Sequence, residues 1–155
     1  MAKVLTEAQV RAFERDGCLS PVRVMSAERA RHYRERFEAL EARVPDIKKM
    51  KTKSHLLCPW VLDIAEDPHI LDIFEDLIGP NILCWGASFF QKEADDKTFV
   101  SWHQDSTYYG LEPPDTLTAW LAISEASIAS GCMRFIPGSH NKGIYSHEEL
   151  KTHDN

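Results

Sequence analysis

Two side chains in this sequence are spaced to hold a metal. Trp102-His103-Gln104-Asp105 sets an imidazole and a carboxylate two residues apart. In an extended segment residues i and i+2 point to the same side, so His103 and Asp105 would face one ion together. An imidazole and a carboxylate are two corners of the facial triad that holds non-haem Fe(II) in oxygenases. That triad needs one more histidine and leaves three positions for other ligands. Spacing alone is weak evidence. With seven histidines and eleven aspartates in 155 residues, about one chain in two of this composition contains such a pair by accident. His147 followed by Glu148 and Glu149 offers a second His-x-carboxylate, but on a polar tail with no strand pattern. The context of His103 is stronger, because a predicted strand runs into a turn there and Trp102, Tyr108, Tyr109 and Trp120 cluster around it.

The elements that must position this pair fall into two halves. Residues 1–80 read as mostly helical. Thr6 with Gln9 three residues later is a capping-box pattern, and Gly17 is a stop. A second helix starts after Ser26, with the apolar stripe Ala30, Tyr33, Phe37, Leu40 and with Pro45 just past its end. A third starts at Asp67-Pro68, buries Ile70, Ile73, Phe74 and Leu77, and ends at Gly79-Pro80. After residue 80 the pattern turns to strands, predicted over 82–90, 98–103, 116–123 and 131–136. Residues 93–97 form a turn, and Pro113-Pro114 marks a loop. Helices followed by strands suggest a sandwich or barrel with helices on one side.

Composition sets the broad class. The net charge is −6 with no basic stripe, which excludes an ordinary nucleic-acid binder. No apolar run is long enough for a transmembrane helix, and the start MAKVLTEAQVRAF has no signal-peptide core. Cys18, Cys58, Cys84 and Cys132 lie far apart among apolar neighbours, so reduced, buried thiols and a cytoplasmic location are expected.

Beyond the metal pair, the stretch SWHQDSTYYGLEPPDTLTAWLAISEASIASGCMRFIPGSHNKG closely resembles the phytanoyl-CoA dioxygenase family. The metal motif, aromatic pair, T-A-W-L-A strand and G-C-M-R-F-I-P-G-S-H segment come in the family's order. Upstream, HLLCPWVLDIAEDPHILDIFEDLIGPNILCWGASFFQKE resembles the family's helix, Gly-Pro-Asn turn and strand. The resemblance implies a mainly β protein with N-terminal helices (α+β), folded as a double-stranded β-helix, or jelly roll. It implies a single domain over 1–155, with helices over 1–80 and the first barrel strands over 81–155. It also implies a dioxygenase that uses Fe(II), 2-oxoglutarate and O2 to hydroxylate a small organic substrate, releasing succinate and CO2. Carried over by position, His103 and Asp105 are the iron ligands. An aspartate at 105 points to hydroxylation, because halogenating relatives carry a small residue there.

Trp120, Ser88, Lys53 and Gln104 are the candidate cosubstrate residues, although Gln104 should point away from the metal side. Thr118 shares a strand face with Trp120. Lys51 is an alternative to Lys53, and Lys92 matches a family lysine of unassigned role. Plainer readings stand beside these: core packing for Trp120, a small strand residue for Ser88, surface charge for the lysines, and a structural role for His140. The family's distal histidine and its cosubstrate-binding arginine have no match after Asp105, where Arg134 is the only arginine and His140, His147 and His153 the only histidines. The expectation is therefore an incomplete jelly roll whose C-terminal half lies outside these 155 residues. The alternatives are a non-catalytic jelly-roll binding module and a chain that completes its sheets by dimerising. No nucleic-acid or membrane partner is expected.

Overall fold

The fold is that of a computed structural model, which describes residues 2–44, 47, 53–113 and 115–147. Pro45, Lys51, Pro114, Glu148, Glu149 and His153 lie outside those residues. The N-terminal half forms helices where local signals call for them. Helix α1 (Glu7–Asp16) opens on the Thr6–Gln9 capping box and closes on Gly17 in the left-handed region. Helix α2 (Ala27–Arg43) is capped by Ser26 and buries Tyr33 and Phe37. Two short helices that were not separately expected follow, α3 (Ser54–Leu57) and α4 (Pro59–Ala65), the latter with Pro59 at its start. Helix α5 (Pro68–Ile78) starts on Asp67, whose carboxylate accepts from the His69 and Ile70 amides, and buries Ile70 and Ile73.

Helices α2 and α4 share one apolar centre. Tyr33, Phe37, Ile47, Cys58, Trp60 and Val61 are buried together, with Ala87, Phe89 and Ile123 packed against them from the second half. Trp60 is its middle, stacked on Tyr33 at 6.0 Å and on Phe89 at 5.5 Å between ring centroids. Phe37 meets the same Phe89 at 5.0 Å. Each such side chain taken from water contributes about 1.5–3 kcal/mol, so Phe89 is a principal anchor of the second half on the helices.

Polar contacts fix the helix arrangement. The amides of Lys3, Val4 and Leu5 all donate to the Asp76 carboxylate on α5, at 2.6, 2.9 and 2.8 Å. The Leu5 amide is the largest of the causes that hold the Asp76 pKa below the usual range. Arg29 on α2 pairs with Asp67 and donates to the Tyr33 hydroxyl at 3.1 Å.

The second half departs from expectation. A mainly β jelly roll was predicted, but the described residues contain no sheet. The one β-type contact is an isolated parallel bridge between Lys53 and Ala87. Segments 82–90, 98–103, 116–123 and 131–136 are irregular, and much of their apolar surface is open: Leu83 is 86% exposed, Val100 57% and Phe135 55%. The reason is physical. Alternating side chains specify a face, but a strand exists only through ladder hydrogen bonds to another strand, and none of these segments finds one. What orders this half instead is a short helix, α6 (Ser106–Tyr109), a 3-10 turn (Ser139–Lys142), and contacts back to the helices. The turn docks on the end of α1. The His140 ring nitrogen Nε2 donates to the Glu14 carbonyl at 3.0 Å and the Gly138 amide to the Asp16 carbonyl at 2.9 Å, satisfying carbonyls that a helix terminus leaves open.

All four cysteines are free. Burial was expected of each, but only Cys58 is buried, where desolvation pushes its thiol pKa up, and Cys84 is exposed. Among the described residues no helix is long and apolar enough to cross a membrane.

Candidate metal centre

His103 and Asp105 do converge, by a different backbone route from the one predicted. Asp105 is helical (φ −54°, ψ −39°) and starts α6 rather than continuing a strand. The turn is held by the Thr107 and Tyr108 amides, which donate to the Gln104 and Asp105 carbonyls at 3.1 and 3.0 Å. It swings the carboxylate back so that Asp105 Oδ1 lies 3.1 Å from His103 Nε2. Gly110, left-handed at φ 60°, ends the turn.

The proton arrangement on His103 follows from its other nitrogen. Nδ1 lies 2.7 Å from the Ser101 carbonyl. A carbonyl can only accept, so Nδ1 carries the hydrogen, and in the neutral ring Nε2 presents a lone pair. Metal-binding histidines are oriented in this way by a partner on the far nitrogen. A lone pair facing a carboxylate oxygen calls for a proton or a cation between them. Two ligands about 2.1 Å from a metal and at right angles to each other would be about 3.0 Å apart. The observed separation fits that requirement.

Asp105 has a clear division between its oxygens. Oδ1 faces His103, while Oδ2 accepts from the Thr118 hydroxyl at 3.1 Å and the Tyr109 hydroxyl at 3.4 Å. Tyr109 packs on Trp85 at 4.5 Å. The Lys53 ammonium lies 4.6 Å from the Trp85 ring centre and donates to the Trp85 carbonyl. A continuous line of contacts thus runs from Lys53 through Trp85 and Tyr109 to Asp105. On the other side of the pair, the Tyr108 ring stands edge-on to His103 at 5.7 Å.

The remaining predicted residues fall into different places. Gln104 does point away from the pair. Its amide donates to the Gly143 carbonyl at 2.9 Å and accepts from the Tyr145 amide at 2.7 Å, tying segment 143–145 to the turn that carries the pair. Thr118 joins the site, and Lys53 reaches it through Trp85. Trp120 and Ser88 are both exposed, and no hydrogen bond or ring contact links either to the pair among the described residues. Arg134 lies over the Trp102 ring at 5.9 Å. Tyr109 was named from the sequence only as one of the aromatic residues near the pair, and Ser101 and Trp85 were not singled out. The Asp105–Tyr109 spacing of four carries the one usable signal, and only if the segment is read as a helical turn. No group of three His, Cys, Asp or Glu is disposed around one point among the described residues. Beside the pair, the described residues offer no third such group.

The profile of the phytanoyl-CoA dioxygenase (PhyH) family matches residues 13–155. The chain belongs to this family. It is similar to the phytanoyl-CoA dioxygenase domain-containing protein 1 homolog of Caenorhabditis briggsae, 34% identical over 102 residues that cover 64% of this chain and 35% of the relative. It is 26% identical over 116 residues to a probable alpha-ketoglutarate-dependent hypophosphite dioxygenase of Stutzerimonas stutzeri, covering 75% of this chain and 40% of that protein. The human peroxisomal phytanoyl-CoA dioxygenase is 26% identical over an alignment of 173 positions, covering 96% of this chain and 51% of the human protein. The chain thus spans about a third to a half of the length of these relatives. No solved structure matches the fold at a significant level.

Proposed function

We propose that this phytanoyl-CoA dioxygenase family chain carries the proximal half of the iron site of a non-haem Fe(II)- and 2-oxoglutarate-dependent dioxygenase that hydroxylates a small organic substrate. The observation that supports this most directly is the His103–Asp105 geometry, a lone pair and a carboxylate oxygen 3.1 Å apart on one side of a turn. When bound, Fe(II) with 2-oxoglutarate and O2 supplies the oxidising power for hydroxylation, with succinate and CO2 as co-products. This chain's own residues bind and orient. His103 Nε2 and Asp105 Oδ1 are the two ligands, and the Ser101 carbonyl holds the imidazole in the tautomer that can coordinate. Lys53 and Trp120 are the residues we assign to the 2-oxoglutarate side. Lys53 brings a positive charge suited to a dicarboxylate and connects to Asp105 through Trp85 and Tyr109. Trp120 lies two residues beyond Thr118 and offers a flat apolar wall. Ser88 remains a candidate for the same pocket. Gln104 acts by holding residues 143–145 beside the metal turn.

The test is Fe(II)-dependent conversion of 2-oxoglutarate to succinate by the intact protein, compared with its His103→Ala variant. Loss of turnover in the variant is expected. A variant that keeps full turnover would remove His103 from the site and the reading with it.

A further inference from the structure

We propose that Thr118 and Tyr109 are positioning residues that dedicate Asp105 Oδ2 to the protein, leaving Oδ1 alone to meet the metal. The inference rests on the reading of His103 and Asp105 as ligands and goes beyond it to how the carboxylate is presented.

A carboxylate can bind a cation through one oxygen or through both. The choice matters here. Three protein ligands leave three positions of an octahedral ion for other molecules, and a carboxylate binding through both oxygens would consume one of them. Oδ2 is drawn away by two hydroxyl donors, Thr118 at 3.1 Å and Tyr109 at 3.4 Å, while Oδ1 is turned to His103 at 3.1 Å. The donors come from separate parts of the chain. Tyr109 is at the end of α6, one helical turn past Asp105, and Thr118 is thirteen residues past it. Tyr109 is itself fixed, because its ring packs on Trp85 at 4.5 Å and the Lys53 ammonium holds Trp85.

Stability alone does not explain this arrangement. The Asp105 side chain is 45% exposed and Thr118 is exposed, so water could serve both and their contact adds little to folding. Orientation is what they supply. Removing them should therefore leave the fold intact and disturb the metal.

The experiment measures Co(II) binding to the intact protein by calorimetry and by its visible absorption bands, for the wild type, His103→Ala, Thr118→Val, Tyr109→Phe, the Thr118→Val/Tyr109→Phe double variant and Thr118→Ser. Thermal melts of the metal-free proteins check folding. The double variant should bind Co(II) about 10–100-fold more weakly, with shifted absorption bands as the carboxylate changes its mode. Thr118→Ser keeps the hydroxyl and should stay within about threefold of the wild type. Unchanged affinity and unchanged bands in the folded double variant, with binding still lost in His103→Ala, would overturn this proposal and spare the ligand assignment. Binding that survives His103→Ala would overturn the ligand assignment and this proposal together. A Thr118→Ser protein as weak as Thr118→Val would show that packing of the side chain, not its hydroxyl, is what counts, and would also overturn it.

Discussion

Nε2 of His103 lies 3.1 Å from Oδ1 of Asp105 while Nδ1 of the same ring is held by the Ser101 carbonyl. With a neutral ring, two acceptors then face each other, an arrangement that a metal relieves. Asp105→Asn separates charge from shape. Its amide can donate to the Nε2 lone pair, closing the gap with a proton. Metal affinity should fall by more than about 100-fold, since loss of a ligand exceeds loss of an orienting partner. The melting midpoint of the metal-free protein should stay the same or rise slightly. Co(II) titration of the intact protein with a parallel thermal melt checks both, and wild-type affinity in the variant would contradict the geometry.

Gln104, between His103 and Asp105 in sequence, does a different job. Its amide pairs with the Gly143 carbonyl and the Tyr145 amide much as a neighbouring strand would. Gln104→Leu keeps the bulk and loses both bonds, each contributing about 0.5–1.5 kcal/mol. Exchange of the Tyr145 amide with deuterium should accelerate by about tenfold or more, while amides in α2 and α5 exchange as before. Unaltered protection at Tyr145 would mean that segment 143–145 is held by something else.

The His103–Asp105 turn and the helices differ in how far local sequence specifies them. Thr6 with Gln9, Ser26 and Asp67 with Pro68 are local signals, and each starts a helix where it was expected. Helices α3 and α4 were missed because they are short and neither has a side-chain cap hydrogen bond. Strands were expected from alternation over 82–136, but alternation names a face and not a partner, and pairing is decided far away in sequence. His103 and Asp105 were expected to face one side along an extended strand. They share a side, as expected, but through a helical turn at 105. That turn is also why the Tyr109 contact to Asp105 was not foreseen, since it exists only in helical geometry. A structural role was expected for His140, yet its partner, the Glu14 carbonyl, is 126 residues away and has no local signature.

That long-range contact makes Gly17 sensitive. Gly17 sits at φ 75°, and a Cβ there would fall 2.3 Å from His140 Nδ1. Gly17→Ala therefore meets two penalties. A left-handed non-glycine residue costs about 1 kcal/mol, and displacing His140 from the Glu14 carbonyl costs about 1 kcal/mol more. His140→Ala alone loses only the hydrogen bond. In the double variant the clash has gone, so the combined loss should be about 1 kcal/mol smaller than the sum of the single losses. Urea unfolding of the four proteins measures this, and strict additivity would show that the added methyl group and the His140 ring do not collide.

Asp67 predicts how stability changes with acid. Burial pushes its pKa up, but the hydrogen bond from Arg29 and the amides of His69 and Ile70 together outweigh that, and the net shift is downward. A carboxylate depressed in the folded state binds its proton more readily when unfolded, where its pKa is about 3.9. Its contribution is thus fully present above that value and is lost as pH falls through the lower folded value. Asp67→Asn is the informative comparison, because asparagine also caps helices well and only the charge is removed. Arg29 is 40% exposed while Asp67 is 6% exposed, so solvent screens the pair and the gap between the two proteins should be on the order of 1 kcal/mol rather than that of a fully buried pair. Asp76 is depressed as well, but it titrates alike in both proteins and cancels. Urea unfolding from about pH 7 down to about pH 2 should show a constant wild-type advantage above about pH 5 that shrinks towards zero in stronger acid. A gap that widens on acidification, or ignores pH, would mean that the Arg29–Asp67 charge interaction does not hold α2 to the start of α5.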